Sequence, residues 1–273
     1  MKDAASIGNE RRTLTRERGG ALDESSREVD EGNRPSKAGY ADFFARVAHD
    51  LRSPLGIVMH VLQRLEADLA IQLTDDHKAL AKLGGRGVRR LQTFVERVAL
   101  LAELENDELV VNLQPVDLGQ LARRAVEANG ANEPRSGVEV SYQEPEERCR
   151  VIADPALVSR ILSELLTNAV GHARRIVRVG VLVDSSSASV FVEDDGAGVT
   201  ENARATLYHR FVVHDARGGL GIGLSIVSDL VRVQSGEIRL EPSTLPPGRP
   251  GTVGARFVLS LPRAAVTHGL AHD

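Results

Sequence analysis

The chain has 273 residues, 42% hydrophobic and 26% charged, and its 34 basic and 38 acidic side chains leave a formal net charge of −4. That mixture describes a soluble globular protein, and at about 100 to 200 residues per domain the length predicts two modest domains, each with its own core. A near-neutral charge exerts no long-range pull on a polyanion, and 3% aromatics with no Trp leave few platforms for stacking bases, so nucleic acid is excluded as an expected partner. The single cysteine, Cys149, excludes an internal disulfide framework and a thiolate-rich zinc site. It fits a reduced, cytoplasmic setting and is read as a half-buried strand residue without special reactivity. The amino terminus has no apolar leader core, and nowhere do about 18 consecutive apolar residues occur, so no membrane span is expected.

Residues 1–39 are rich in Arg, Glu, Asp, Ser and Gly, and ordering them would cost entropy that burial cannot offset. A disordered tail is expected there. From Tyr40 onward Phe43, Phe44, Val47, Leu51, Leu55, Val58, Leu62, Leu65 and Leu69 recur at steps of three and four, which predicts a long amphipathic helix. Pro54 lies inside that stripe, removes a backbone donor and is expected to bend the helix. After the polar break Thr74-Asp75-Asp76, the residues Leu80, Leu83, Val88, Leu91, Val95, Val98, Leu101 and Leu104 predict a second helix. Its start is weakened by Gly84, Gly85 and Gly87, each by about 1 kcal/mol relative to Ala. Together the two helices form an antiparallel hairpin over residues 40–113. Because a hairpin hides only part of each apolar stripe, the remainder is predicted to pair with a second copy in a dimeric four-helix bundle. Arg86, Arg89 and Arg90 read as a solvated helix face.

From residue 114 to 263 the texture is mixed. Helices are predicted near 118–128, over 155–173 and over 223–234, and strands over 138–142, 178–183, 189–193 and 255–261. The order predicts an α+β sandwich with helices over one sheet face, closed by a short tail at 264–273.

Four clusters carry chemistry. In FFARVAHDLRSPL, His49 is a ring nucleophile in mid-helix, Asp50 is a carboxylate beside it, and Ser53 lies four residues past His49 on nearly the same face. A neutral imidazole attacks a phosphoryl group best when a carboxylate fixes its tautomer, and Asp50 can do so. In ILSELLTNAVGHA, Glu164 and Asn168 share a helical face, and their carboxylate and amide oxygens suit octahedral magnesium carrying a nucleoside triphosphate. In VFVEDDGAGV, Asp194 ends a strand before Gly196 and Gly198; an acceptor-only carboxylate binds the exocyclic amine of adenine and repels the carbonyl of guanine. RGGLGIGLSIV places Gly219, Gly221 and Gly223 two apart before a helix starting near Leu224, where glycines admit phosphate oxygens and the helix amino end offers unpaired amides. The run lacks P-loop spacing and does not follow a strand as a dinucleotide fingerprint would, so a different nucleotide fold is required.

In this order and spacing the clusters resemble the sensor histidine kinases, with HDLRSPL as the H box, ELLTNAVGH as the N box, DDGAG as the first glycine box, LYHRF as the F box and GGLGIGL as the second glycine box. Gly251-Thr252 looks like the closing GT element. The resemblance covers residues 40–263. It implies a dimerisation and phosphotransfer hairpin followed by an ATPase fold shared with gyrase, chaperone ATPases and mismatch-repair proteins. By the same resemblance His49 is the phosphoacceptor, Asp50 orients it, Asn168 binds magnesium and Asp194 reads adenine. Gly196, Gly198, Gly219, Gly221 and Gly223 shape a mobile lid over the phosphates that Phe211 helps to pack, and Leu220, Leu224 and Thr252 join the nucleotide-binding set.

Several positions depart from the family pattern. Glu164 stands where an Asn is common and where the chaperone and mismatch-repair relatives carry a water-activating Glu, which raises futile ATP hydrolysis as an alternative. The frequent N-box Lys is absent, so phosphate neutralisation falls to His172 or Arg217. Ser53 takes a place where phosphatase-competent relatives carry Thr or Asn. The expected cofactors are ATP and magnesium, and the expected partners are a response-regulator receiver domain and a second copy of the chain. With only the polar tail ahead of Tyr40, the signal is expected through a separate sensory protein, the tail or the dimer state. The rival readings are a scaffold that has lost turnover and a serine-directed kinase or chaperone-like ATPase on the same fold.

Overall fold

A computed structural model of the chain describes residues 37–68, 74–131, 137–145, 147, 149–184, 187–212 and 221–264. Of the tails expected over 1–39 and 264–273, residues 1–36 and 265–273 lie outside the described residues, whereas residues 37–39 belong to the first helix, which corrects the expected boundary. Two long helices come first, α1 (Lys37–Asp68) and α2 (Asp75–Glu105). α1 runs on across Pro54, which leaves the Asp50 carbonyl without its intrahelical donor. α2 runs unbroken through its three glycines and is capped by Thr74, whose hydroxyl accepts the His77 N–H. The two pack along one another. Their shared interior holds Ala48, Met59, Val95 and Val98, whereas Leu51, Ile57, Val58, Val61, Leu80, Leu83 and Leu91 remain exposed. Full burial of one such side chain is worth about 1.5–3 kcal/mol, so the hairpin on its own leaves much of its apolar stripe unused.

After the hairpin come β1 (Gln114–Asp117), α3 (Leu118–Ala131), β2 (Glu139–Gln143), β3 (Arg150–Ala153), α4 (Pro155–His172), β4 (Ile176–Val183) and β5 (Ser187–Asp194). The short helix α5 (Glu201–Arg204), α6 (Gly223–Arg232), β6 (Glu237–Pro242) and β7 (Ala255–Pro262) complete the fold. A five-stranded sheet runs in the order β2-β4-β5-β7-β6, and β1 pairs with β3 in a separate two-stranded ribbon. β2 and β4 are parallel and the other neighbours antiparallel. β1, β3 and β6 have no counterpart in the sequence reading, because the first two are four residues long and β6, EIRLEP, carries charge at every second position.

Helices α3, α4 and α6 cover one sheet face. Period-2 alternation sends Val190 and Val192 of β5, with Val177 and Val179 of β4 and Phe257 and Leu259 of β7, into the core beneath them, where Ile161, Leu162, Leu165, Leu166, Ile226 and Leu230 meet the sheet. The last turns of α2 also enter this core: Leu101 belongs to it, with Phe94, Leu100 and Leu104 packed against it. Cys149 corrects its sequence reading, for it is 5% exposed and sits just ahead of β3 rather than within a strand. Burial raises its thiol pKa, so it stays protonated.

One buried polar joint holds several elements at once. Asp154 caps α4, its Oδ1 accepting the Ala156 and Leu157 N–H groups at 2.8 and 3.2 Å, while Oδ2 accepts the Asn112 N–H at 2.8 Å. Its own N–H donates to Gln234 Oε1 at 2.9 Å, and Gln234 in turn donates to the Leu230 carbonyl. Removing the carboxylate strips a cap worth about 1 kcal/mol and strands buried donors at about 1–3 kcal/mol. Asp154→Ala is therefore expected to lose about 3 kcal/mol in urea denaturation, and Asp154→Asn, which keeps one acceptor, less than half of that.

Candidate functional site

The site begins on α4. Glu164 and Asn168 lie one turn apart, Glu164 buried and Asn168 half-buried, and exposed His172 ends the helix. The Glu164 carboxylate is not turned toward Asn168 as a shared metal ligand. Arg97 of α2 donates to it twice, Nε to Oε1 at 3.0 Å and Nη2 to Oε2 at 2.5 Å, and Arg160 approaches Oε1 at 3.2 Å. Arg160 also bonds Glu96 at 3.0 Å. Gly223, the first residue of α6, passes so near that a Cβ there would lie 3.0 Å from Glu164 Oε2. In this arrangement both carboxylate oxygens are occupied by guanidinium groups, which corrects the expectation that Glu164 is available to magnesium. Among the described residues no group of three His, Cys, Asp or Glu side chains could hold a metal ion.

The end of β5 presents three acids in a row, and alternation sends them apart. Asp194 faces the helices and is 3% exposed. Its Oδ1 accepts the Gly196 N–H at 2.8 Å, and the Ala255 N–H also bonds the carboxylate. Burial pushes its pKa above the ordinary value, and those two N–H groups and the nearby His172 only partly oppose the rise. A buried acceptor that the interior leaves under-compensated fits a ligand donor such as an exocyclic amine. Asp195 accepts the N–H groups of Arg174, Arg175 and Ile176, at 2.8, 2.9 and 3.1 Å for Oδ1, and these outweigh burial to lower its pKa. Glycine is required around this turn: a Cβ on Gly196 would strike the His172 carbonyl, and Gly198, at φ +71°, lies against the Val253 carbonyl. The first glycine box is thus the contact between the α4 carboxyl end and the β6–β7 connection.

Arg217, Gly219 and Leu220 lie outside the described residues. On either side of them the Phe211 N–H donates to the Gly221 carbonyl at 2.9 Å, with Phe211 at φ 63° and Gly221 at φ 65°. Phe211 is 61% exposed. Leu224 is half-buried on the first turn of α6. Thr252 turns inward on its own loop, its hydroxyl donating to the Arg249 carbonyl at 2.9 Å. Arg210, which the sequence reading passed over, pairs with Glu105 at the end of α2 and with Asp229 of α6 at 2.8 Å. Nothing in residue spacing marks either partner, since both come from distant elements.

His49, Asp50 and Ser53 are exposed on α1, which packs on α2, while the sheet domain rests on the last turns of α2. Among the described residues no hydrogen bond joins Asp50 to His49; neighbours on a helix diverge by about 100°. The structure therefore brings together the α4, β5 and α6 residues and leaves the histidine on a separate, solvent-facing element.

Two family models match in tandem: "His Kinase A (phospho-acceptor) domain" over residues 40–107 and "Histidine kinase-, DNA gyrase B-, and HSP90-like ATPase" over residues 153–265. The chain is 26% identical over 236 residues to the sensor-like histidine kinase SenX3 of Mycobacterium tuberculosis, covering 83% of this chain and 54% of that protein. It is 30% identical over 230 residues to the sensor histidine kinase MtrB of Mycolicibacterium paratuberculosis, covering 81% and 39%. Among solved structures it resembles full-length ShkA in complex with AMPPNP at TM-score 0.63 and 26% identity, covering 82% of this chain and 46% of that one. The chain spans about half the length of these relatives, or less. With a phosphoacceptor hairpin and an ATPase sheet domain matched in that order, the chain belongs to the histidine kinase family.

Proposed function

We propose that the chain is an ATP-dependent protein-histidine kinase core, with residues 40–113 as the dimerising phosphotransfer hairpin and 114–263 as the ATP-binding domain. It works as a homodimer in the cytoplasm and passes its phosphoryl group to an Asp of a response-regulator receiver domain. The observation that carries this reading is the pairing, in one chain, of an exposed mid-helix His49 with the buried, under-compensated Asp194. No described helix is long and apolar enough to cross a membrane, and the exposed apolar stripe of the hairpin supports pairing with a second copy.

Asp194 accepts the adenine amine, and Gly196 and Gly198 hold the turn that follows it. Gly219, Leu220, Gly221, Gly223 and Leu224 enclose the phosphates, assisted by His172, Arg217 and Thr252. Asn168 would hold magnesium, which would supply charge neutralisation along the triphosphate. In the transfer the His49 ring nitrogen forms an N–P bond as the bridging P–O bond to the γ-phosphorus breaks and ADP leaves. Asp50 takes the hydrogen bond of the second ring nitrogen in the reacting arrangement. The resulting phosphoramidate keeps enough transfer potential to phosphorylate a carboxylate. A second reading, a scaffold without turnover, is favoured by the occupied Glu164 carboxylate.

Incubation with magnesium and γ-labelled ATP is expected to label the wild type with an acid-labile, alkali-stable phosphate that His49→Gln lacks. No label, with nucleotide binding intact, would favour the scaffold. Base recognition needs the ionised Asp194; because its pKa is raised, ATP affinity is expected to fall on acidification while ordinary carboxylates are still charged. Titration calorimetry across pH 4–7.5 (about the range set by an ordinary carboxyl pKa of about 3.9) checks this, and Asp194→Asn removes the dependence together with the binding. Arg97→Met leaves buried Glu164 with Arg160 alone, which is expected to lower stability by about 2–3 kcal/mol and to raise ATP hydrolysis without label. Glu164→Gln in the same chain removes that hydrolysis.

A further inference from the structure

Of the three acids that end β5, Glu193 has no part in the site as described, yet its side chain is 0% exposed. It lies on the sheet face opposite to the helices, level with Arg178 on β4 and Arg256 on β7. Arg256 turns away to stack over the Phe191 ring, 4.1 Å from its centroid, so Arg178 alone neutralises Glu193, donating from Nε at 2.7 Å. The remaining bonds go to the start of the β6–β7 connection. The Thr244 N–H donates to Oε2 at 2.8 Å, the Thr244 hydroxyl lies 3.0 Å from Oε2, and Ser243 reaches Oε2 at 3.3 Å. Burial would raise the Glu193 pKa, but the Thr244 N–H, Arg178 and the Thr244 hydroxyl outweigh it and hold the group ionised.

Its neighbours on that face, Phe191 and Val258, are apolar and buried, so an apolar residue would suit position 193 sterically. A buried ion pair is no more stabilising in general than well-packed apolar side chains. What only a carboxylate does there is fix the backbone of Thr244. From that point a short chain of contacts returns to the adenine site. The Ser243 N–H donates to the Gly254 carbonyl at 3.0 Å. Gly254 packs directly on the Asp194 carbonyl, and a Cβ there would overlap it. The next residue, Ala255, gives its N–H to the Asp194 carboxylate. Midway, the Gly248 N–H donates to the Asp195 carbonyl at 3.2 Å.

We propose that Glu193 is a positioning residue for base recognition: through Thr244 and Ser243 it holds Gly254 and Ala255 where they aim the Asp194 carboxylate at the exocyclic amine of an adenine nucleotide. This rests on the reading of Asp194 as the adenine acceptor. Asp194 contacts the base; Glu193 acts only through the connection between β6 and β7.

The test is the ratio of ATP to GTP dissociation constants, measured by calorimetry with magnesium on the full chain and its variants, beside melting curves. Glu193→Gln is expected to weaken ATP binding about tenfold and GTP binding little, shrinking the preference by about the same factor, with the labelling rate at saturating ATP within about twofold of wild type. Thr244→Val, which keeps the backbone bond and removes the hydroxyl, shifts the ratio in the same direction by less, and serves if Glu193→Gln does not fold. Ser189→Ala breaks the 2.7 Å hydroxyl pair with Ser260 on the same sheet face and is expected to lower melting temperature without moving the ratio. If Glu193→Gln and Thr244→Val lower stability and leave the ratio at its wild-type value, Glu193 is structural only and the proposal fails. If Asp194→Asn itself retains a preference for ATP, the underlying reading of Asp194 is what fails, whatever the position 193 variant does.

Discussion

The fold turns on the way three consecutive carboxylates are taken out of water at the end of β5. Identical chemistry meets three environments. Glu193 finds a guanidinium and a threonine, Asp195 finds three backbone N–H groups, and Asp194 finds two N–H groups and too little else. The first two are held below their ordinary pKa values and the third above. The two well-satisfied acids fasten the β6–β7 connection and the turn before β4; the poorly satisfied one is left as an acceptor in search of a donor. A site built this way needs a rigid frame, because an under-compensated carboxylate would otherwise rotate toward water and lose its selectivity.

Linkage gives these environments opposite signs. Glu193 and Asp195, with depressed pKa values, contribute stability that is present above the unfolded values of about 4.3 and 3.9 and is lost as pH falls through their lower folded values. Asp194, with a raised pKa, weakens the fold at neutral pH, and that penalty is lifted as pH falls through its folded value. Acidification therefore neutralises Asp194 while the two that fasten the frame are still charged. Binding and folding are separated along the pH axis by the same three residues.

Much of this was legible beforehand. Helical periodicity marked α1 and α2, and the alternation in β4, β5 and β7 placed Asp194 at a strand end because period 2 and period 3.6 are both strong signals over eight residues or more. The four-residue strands β1 and β3 are too short to show a period, and β6 is disguised by its charges. The pairing of Glu164 with Arg97 joins residues 67 apart, and that of Arg178 with Thr244 joins residues 66 apart. Local spacing is silent about such contacts, which is why Glu164 read as a metal ligand and Glu193 was not read at all. Cys149, read as half-buried in a strand, is buried just ahead of β3, whose four residues are too short to mark their own start.

The hairpin is more than a support for His49. The last turns of α2 reach the sheet domain through three ion pairs, Glu96 with Arg160 and Arg97 with Glu164 on α4 and Glu105 with Arg210 beside α6, with Leu101 in the core between them. α4 carries Asn168, and Arg210 adjoins Phe211, whose N–H is tied to Gly221 at the foot of α6. One helix face thus touches both the amide side and the glycine side of the nucleotide site. A rotation or shift of α2 by even a fraction of a turn must break or remake these ion pairs, since guanidinium–carboxylate geometry tolerates little displacement.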